Sequence, residues 1–515
     1  MGSWLDALLL GAVGGATAWR STRVADRLAR LRPLLAWLAC VPLAVAVARC
    51  GPAAALTAAL TFGSAAAAVM SSHAMRALLP LTVGLASAGA ASVAAIGALA
   101  VAHDARLLAL AVPLVAVGAA LPARLMGAPR WVANPLACTQ EPWRALIHLG
   151  RFVGDLGVCA LVGAGGAAAV LALSGEWRVA GASSALVLAA FGVGALALRR
   201  ADARVDRSPR VPVAAVVVDG APPASGAADG LWPLHADEYR DVEATRARYE
   251  PHVRAAAQRG AAVVALPEVA LSVGGSARGR WLEIAASWAR TLNVTIVAPF
   301  FDLDVPRNTL RVIEPDGTLH TYDKQHPARG LEPAAGPHRA IGPHAGARAW
   351  SLCTVLCVDL DYADLVAPAR RAGGVLFAPS NDWLDGFHER HHRTAIWAAV
   401  LSGTTVVRAT GHGISSVFDG AGRLLARASS ERGPVVMVVD APIACWRGHS
   451  RAAELRGSSV RSALPAPGCP EQVAAPLGAP RRCDLATAFG QFRSIIVGCR
   501  CAAARSISSS RWLSR

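Results

Sequence analysis

The apolar positions of this chain change their period once, near residue 205. Before it they run in long, nearly uncharged blocks of Ala, Leu, Val and Gly: Trp4 to Trp19, Leu34 to Val47, Ala53 to Met70, Leu78 to Val101, Leu107 to Leu121, Leu146 to Leu173 and Val179 to Leu198. Blocks approaching the ~20 residues that cross a bilayer predict spanning helices, so residues 1–205 are expected to form a transmembrane helical domain of six or seven helices. Beyond it, short apolar runs alternate with amphipathic stretches. Val211 to Val218, Ala261 to Leu266, Val294 to Pro299, Thr309 to Ile313, Ala349 to Leu356, Gly374 to Ala378 and Thr404 to Arg408 read as strands; Asp237 to Arg259 and Trp281 to Leu292 read as helices. Strands separated by helices, with short connections, predict an α/β sandwich over residues 206–440. Residues 441–515 form an Arg-, Ala- and Ser-rich tail without periodicity, expected to be weakly structured.

Composition sharpens this division. The 515 residues are 54% hydrophobic and carry a formal net charge of +16. Such a charge would suit nucleic acid in a soluble chain, but the arginines flank apolar blocks, as Arg20, Arg23, Arg27, Arg30 and Arg32 do, which a membrane border explains. No helix-turn-helix, zinc-finger or aromatic RNA-binding pattern accompanies them, so nucleic acid is not an expected partner. Asp6 interrupts the first block and further blocks follow it, which favours a span over a cleaved signal. Cys40, Cys50, Cys138 and Cys159 lie in or beside apolar blocks and read as small hydrophobes.

Among the 51 Lys and Arg residues only one is Lys, Lys324. Arg serves wherever a solvated cation is wanted; Lys is required where a compact ammonium must aim at one point. Lys324 follows Tyr322-Asp323 and the Pro315-Asp316-Gly317 turn. Two other strand ends also carry reactive groups. The run Val263-Val264-Ala265-Leu266 delivers Pro267-Glu268, and Ser351 to Leu356 leads into Cys357-Val358-Asp359. Alone, Glu268 is a solvated loop residue and Cys357 a buried thiol. Together they form an acyl-transfer set, because a thiol needs a base to become a nucleophile, and the oxyanion it creates needs a cation.

In order and context these residues resemble the Glu-Lys-Cys triad of the nitrilase superfamily. Fused behind several apolar helices, they are similar to its membrane branch, the apolipoprotein N-acyltransferases, over roughly residues 1 to 440. The resemblance implies a transmembrane bundle followed by a four-layer αββα sandwich, with Glu268 as base, Lys324 as oxyanion cation and Cys357 as the acylated nucleophile. It implies supporting roles for Glu332, within Lys324-Gln325-His326-Pro327-Ala328-Arg329-Gly330-Leu331-Glu332, for Asp359, and for Asn381 and Trp383 in Pro379-Ser380-Asn381-Asp382-Trp383. Arg408-Ala409-Thr410-Gly411-His412-Gly413 resembles a further strand and turn of the family, and Asn134 to Gln140 with Gly154-Asp155-Leu156 a loop and helix start. Val358-Asp359 departs from the family's aromatic residue and Glu. Ala398 and Leu401 stand where an Arg and a Glu are usual, so a supporting ion pair is expected to be lost, and no apolar block follows residue 441.

The implied activity is N-acyl transfer from a phospholipid donor to the amine of a diacylglyceryl lipoprotein, with no cofactor. A membrane-tethered amidase and an inactive scaffold are the alternatives. His388, His391 and His392 lack a completing ligand set; they read as a surface loop, and no metal is expected. Cys353, in the same extended strand as Cys357, reads as core and lies too far from it for a disulfide. The family places the catalytic domain on the outer face of the bacterial cytoplasmic membrane. Arg199, Arg200, Arg204, Arg207 and Arg210 argue for the inner face, and the family placement is the one adopted here.

Overall fold

The computed structural model describes residues 6, 9–14, 17, 31–49, 52–53, 55–60, 91, 93–125, 130, 135–218, 241–327, 332, 336–337, 350–382 and 388–443. The expected spans Trp4 to Trp19, Ala53 to Met70 and Leu78 to Val101, the residues Asn134 and Trp383, and all of the tail beyond 443 lie partly or wholly outside these.

The amino-terminal half is helical: α1 (Leu31–Arg49), α2 (Val93–His103), α3 (Leu108–Leu125), α4 (Arg144–Leu173) and α5 (Trp177–Asp206). Among the described residues α1, α4 and α5 are long and apolar enough to cross a membrane. Small residues let them approach closely. A Cβ at Gly163 would lie 3.0 Å from Pro113 Cα, and one at Gly166 would lie 2.7 Å from Cys40 Cβ. Leucines on the outward faces, Leu38, Leu110, Leu114, Leu186 and Leu188 among them, remain exposed. Gly154, at φ 69° and ψ 179°, is non-helical and divides α4 into two helical pieces across a kink, in keeping with the helix start expected at Gly154-Asp155-Leu156. Helix α5 runs through Arg199, Arg200 and Arg204 to Asp206, so these arginines lie on its last turns.

Two sheets follow. The seven-stranded sheet has the order β14 (Val435–Pro442), β1 (Arg210–Val217), β2 (Val263–Ala265), β4 (Thr295–Asp302), β5 (Arg307–Ile313), β6 (Leu319–Asp323), with β3 (Ser272–Val273) also on β4. The five-stranded sheet has the order β13 (Leu424–Ser429), β12 (Ile414–Phe418), β10 (Thr405–Arg408), β8 (Val375–Phe377), β7 (Leu352–Thr354). The sheets share a plan: a parallel trio (β1, β2, β4; β7, β8, β10) continued by an antiparallel pair (β5, β6; β12, β13). A short ladder joins β9 (Ser380–Asn381) to β11 (Thr410–Gly411).

Period-two alternation separates the two faces of the first sheet. Val213, Ala215, Val217, Val263, Ala265 and Val297 face a core shared with the second sheet, whereas Ala214, Val216, Val264, Ile296 and Ala298 face α6 (Val242–Gln258) and α7 (Gly275–Leu292). Those helices present stripes at helical spacing, Tyr249, Val253, Ala256 and Trp281, Ile284, Ala285, Trp288. On the second sheet lie α8 (Ala363–Ala372) and α9 (His388–Ser402). The layers are therefore helix, sheet, sheet, helix.

Helix α9 corrects the reading of His388 to His392 as a surface loop. His391 and His392 are buried, and Ala395 through Val400 are buried on every side, because α9 is covered by the sheet on one side and by α4 on the other. Its contact with α4 is close: a Cβ at Gly150 would fall 2.6 Å from Trp397 Cζ3. A helix buried all round shows no amphipathic period, which hid it from pattern reading. Helix α7 begins six residues before the expected Trp281, since its first turns are polar. Strand β7 stops at Thr354, and Cys357 opens the 3₁₀ turn Cys357–Asp361, so Cys353 and Cys357 do not share a strand.

Candidate active site

Glu268 leaves the carboxyl end of β2, Cys357 follows β7 and Asn381 follows β8, all at the carboxyl ends of parallel strands; Lys324 follows β6 of the antiparallel pair. The ends are stitched across the two sheets. Glu268 N–H donates to Ser380 O (3.3 Å), Cys357 N–H to Pro379 O (2.8 Å), and Asn381 Nδ2 to Glu268 O (3.1 Å). The backbone is strained here. Among the described residues four non-glycines have positive φ, and three of them, Val269 (51°), Cys357 (49°) and His412 (51°), surround this point. A β-branched valine in that region costs on the order of 1–3 kcal/mol and persists only where its surroundings impose it. For Cys357 the turn replaces an extended strand and sets the thiol at the sheet end.

Lys324 is buried between two carboxylates. Its Nζ donates to Glu268 Oε1 (2.7 Å) and to Glu332 Oε1 (2.9 Å), with Glu332 Oε2 at 2.8 Å. Asn308 Nδ2 on β5 donates to the same two Oε1 atoms, at 2.8 Å each. The Cys357 thiol approaches the Glu268 carboxylate, whose Oε2 has no hydrogen bond among the described residues. That oxygen is the open acceptor of the site.

Charge states follow from burial and neighbours. Burial raises Glu268 from its ordinary value near 4.5 to about 7; Lys324 opposes the rise and Glu332 adds to it. Burial alone would lower Lys324, but Glu268 and Glu332 together hold it well above its ordinary value. Burial and the charge of Glu268 push the Cys357 thiol well up, with Lys324 opposing. The resting site thus holds a thiol, a permanent ammonium and a carboxylate that titrates near neutrality. A thiol held in that state needs a base to take its proton before it can act as a nucleophile.

Asp359 does not touch Lys324. It accepts from Tyr322 Oη (2.6 Å), Gln325 N–H (3.0 Å) and His326 N–H (2.8 Å), pinning the chain on both sides of Lys324, and burial raises it to about 6 despite these bonds. The shorter carboxylate therefore reaches the backbone around the lysine. Asn381 orients Glu268 through its carbonyl. His412, pushed by burial to about 4, is neutral, so its Nδ1–H donates to Asn381 Oδ1 (2.8 Å). The ion pair expected to be lost at Ala398 and Leu401 has a counterpart next door: Arg408, buried on β10, pairs with Asp382 (3.3 Å), and His391 Nδ1 lies 2.7 Å from Asp382 Oδ1.

The structure brings Glu268, Lys324, Cys357, Glu332 and Asn381 together, with Asp359 one step behind them. Asn308, Tyr322 and His412 were not singled out by sequence; a lone Asn, Tyr or His in a strand or turn carries no spacing signal. Among the described residues no group of three or more His, Cys, Asp or Glu side chains is arranged to hold a metal.

A scan against family models finds no match, nor does a search of curated proteins. Among solved structures, Nit3 of Saccharomyces cerevisiae, a member of branch 10 of the nitrilase superfamily, is 16% identical, with a TM-score of 0.35 over 49% of this chain and 96% of its own. A variant of the Nesterenkonia amidase from the nitrilase superfamily is 17% identical, with a TM-score of 0.37 over 49% and 98%. The NitFhit protein of C. elegans is 18% identical, with a TM-score of 0.37 over 49% and 64%. At such distances, what the site can do follows from its own side chains. The fold and site define a four-layer sandwich holding a buried Cys-Glu-Lys centre.

Proposed function

We propose that the protein is a thiol-dependent acyltransferase of the membrane, moving an acyl chain from a phospholipid to the amine of a diacylglyceryl-cysteine lipoprotein. The observation that carries acyl transfer is the buried Glu268–Lys324 pair, with the Cys357 thiol close to a Glu268 carboxylate that keeps one oxygen without a hydrogen bond among the described residues. Cys357 Sγ attacks the ester carbonyl while its proton passes to Glu268. Lys324, held charged, steadies the oxyanion. Collapse expels the lysophospholipid, whose oxygen takes the proton from Glu268, and leaves a thioester. The acceptor amine then attacks the thioester, Glu268 removes its proton, and that proton returns to the departing sulfur. What supports lipid substrates is the apolar amino-terminal half, whose helices α1, α4 and α5 are long enough to span.

The test is a mass measurement. Incubated with phospholipid, the full chain in detergent should gain one hydroxylamine-labile acyl group at Cys357, absent in Cys357→Ala. Hydrolysis of small amides with no lipid adduct would show an amidase instead. Topology belongs to the same proposal, with the sandwich on the outer face of the cytoplasmic membrane. Protease added to intact spheroplasts should cleave it, and protection would reverse the orientation.

Glu268 also sets a pH dependence. As a base it acts only when ionised, so the rate of acyl-enzyme formation should rise about tenfold per unit up to about pH 7 and then level. Its raised pKa has the opposite sign in stability: the contribution is present below the unfolded value near 4.5 and is lost as pH rises through about 7. A single-turnover profile with no break between pH 6 and 8 would show that another group takes the thiol proton.

A further inference from the structure

Most charges where the helical half meets the sandwich are neutralised. Arg144 pairs with Asp202 (3.1 Å), and Arg423 with Asp206 (2.7 Å) and Asp419 (2.6 Å). Arg393 lies 3.5 Å from Glu141. One group of arginines at the same junction is different. Arg151 on α4, Arg200 and Arg204 on α5, and Arg370 on α8 line one cavity of about 360 Å³. Arg151, Arg204 and Arg370 are close enough for their charges to interact. A Cβ built on Gly403 would lie 3.1 Å from Arg204 Nη2 and 3.7 Å from Arg151 Nη2, so two guanidinium tips converge there. No carboxylate pairs with any of the four among the described residues.

Like charges held together without a counter-charge repel one another, and an anion from outside removes that repulsion. Guanidinium groups match phosphate oxygens in fork geometry. The remaining lining says which kind of phosphate. Phe152, Val193 and Leu196 border the same cavity and are 68%, 50% and 51% exposed. Apolar side chains at the rim of a cationic pocket, on two helices long enough to span, suit a headgroup whose acyl chains continue along the helices. Free phosphate would leave those side chains in water.

We propose that Arg151, Arg200, Arg204 and Arg370 form a binding site for the phosphate of an anionic phospholipid, separate from the Cys357 centre and seated at the membrane surface beside the sandwich. The site ties α4 and α5 to α8 through one lipid headgroup and so fixes the height of the sandwich over the bilayer. It rests on the membrane placement of α4 and α5 made above, but not on the chemistry at Cys357.

The test is native mass spectrometry of the full chain in detergent, offered equal amounts of phosphatidylglycerol and phosphatidylethanolamine. Wild type and Cys357→Ala should each retain one phosphatidylglycerol. The triple variant Arg151→Gln/Arg204→Gln/Arg370→Gln should lose about a hundredfold of that binding, at roughly 1 kcal/mol per cation near a membrane surface. Arg370→Gln alone, on α8 and outside the apolar helices, should lose part of it and covers the case in which the triple variant does not fold. Arg178→Gln, which removes one charge at the other end of α5, should retain it. Unchanged retention in the triple variant, or equal loss in Arg178→Gln, would overturn the site. So would displacement of the lipid by millimolar inorganic phosphate, which would make free phosphate the ligand. Alkaline carbonate separates the underlying reading: extraction of every form from membranes would overturn the membrane placement and the site with it, whereas membrane retention without bound lipid would overturn the site alone.

Discussion

Lys324→Arg should cut the rate of acyl-enzyme formation at Cys357 by about a thousandfold, the upper end of what one oxyanion donor contributes, although the charge is kept. The ammonium sits 2.7 Å from Glu268 and 2.8–2.9 Å from Glu332, in a space shared with Asn308 and almost closed to solvent. A guanidinium is a planar fork about twice as wide, and in that space it can satisfy the two glutamates only by swinging toward the thiol, where the substrate oxygen must lie. Quenched-flow mass analysis of the thioester measures the rate. Near-normal acylation by a folded Lys324→Arg protein would return the lone lysine to an accident of composition.

Asp382→Ala should destabilise the fold by about 3–5 kcal/mol, the cost of leaving a buried charge without its partner. Arg408 is 0% exposed, and Asp382 is its carboxylate, 3.3 Å away. Burial alone would raise Asp382, but Arg408 and His391 outweigh it and hold the carboxyl at about 2. Because that value is depressed, the pair's contribution is fully present above the unfolded value near 3.8 and is lost only as pH falls through about 2. Denaturant unfolding at neutral pH reads the loss. A change under about 1 kcal/mol would mean that Arg408 reaches water once Asp382 is gone. Activity should fall as well, since Asp382 adjoins Asn381, which holds the Glu268 backbone.

Much of the site was legible because its residues sit where apolar runs stop. Glu268 ends Val263 to Leu266, Lys324 follows the turn-bounded β6, and Cys357 comes after the run from Leu352; each is a local signal of a few residues. Glu332 and Asn381 came through resemblance, and the structure sets both within hydrogen-bond reach of the Glu268–Lys324 pair or its backbone. What could not be read is the set of partners drawn from distant strands. Asn308 meets Glu268 across 40 positions and Glu332 across 24, and nothing in Arg307-Asn308-Thr309 marks it. The same holds for Tyr322 with Asp359 and for the Asp382–Arg408–His391 group, where one partner lies on a helix that has no apolar face to betray it.

The sequence by itself determined the change from long apolar blocks to short alternating runs, and with it the two-sided strands of the first sheet, because side-chain direction along a strand is a matter of position alone. It also determined which reactive groups stand at strand ends. Only the tertiary structure decided that Cys357 leaves the strand in a left-handed turn, that Asp359 turns to the backbone beside the lysine, and that four arginines meet without a counter-charge among the described residues. Those depend on which surfaces are pressed together. Burial sets the charge states, and burial is a property of packing between segments far apart in the chain.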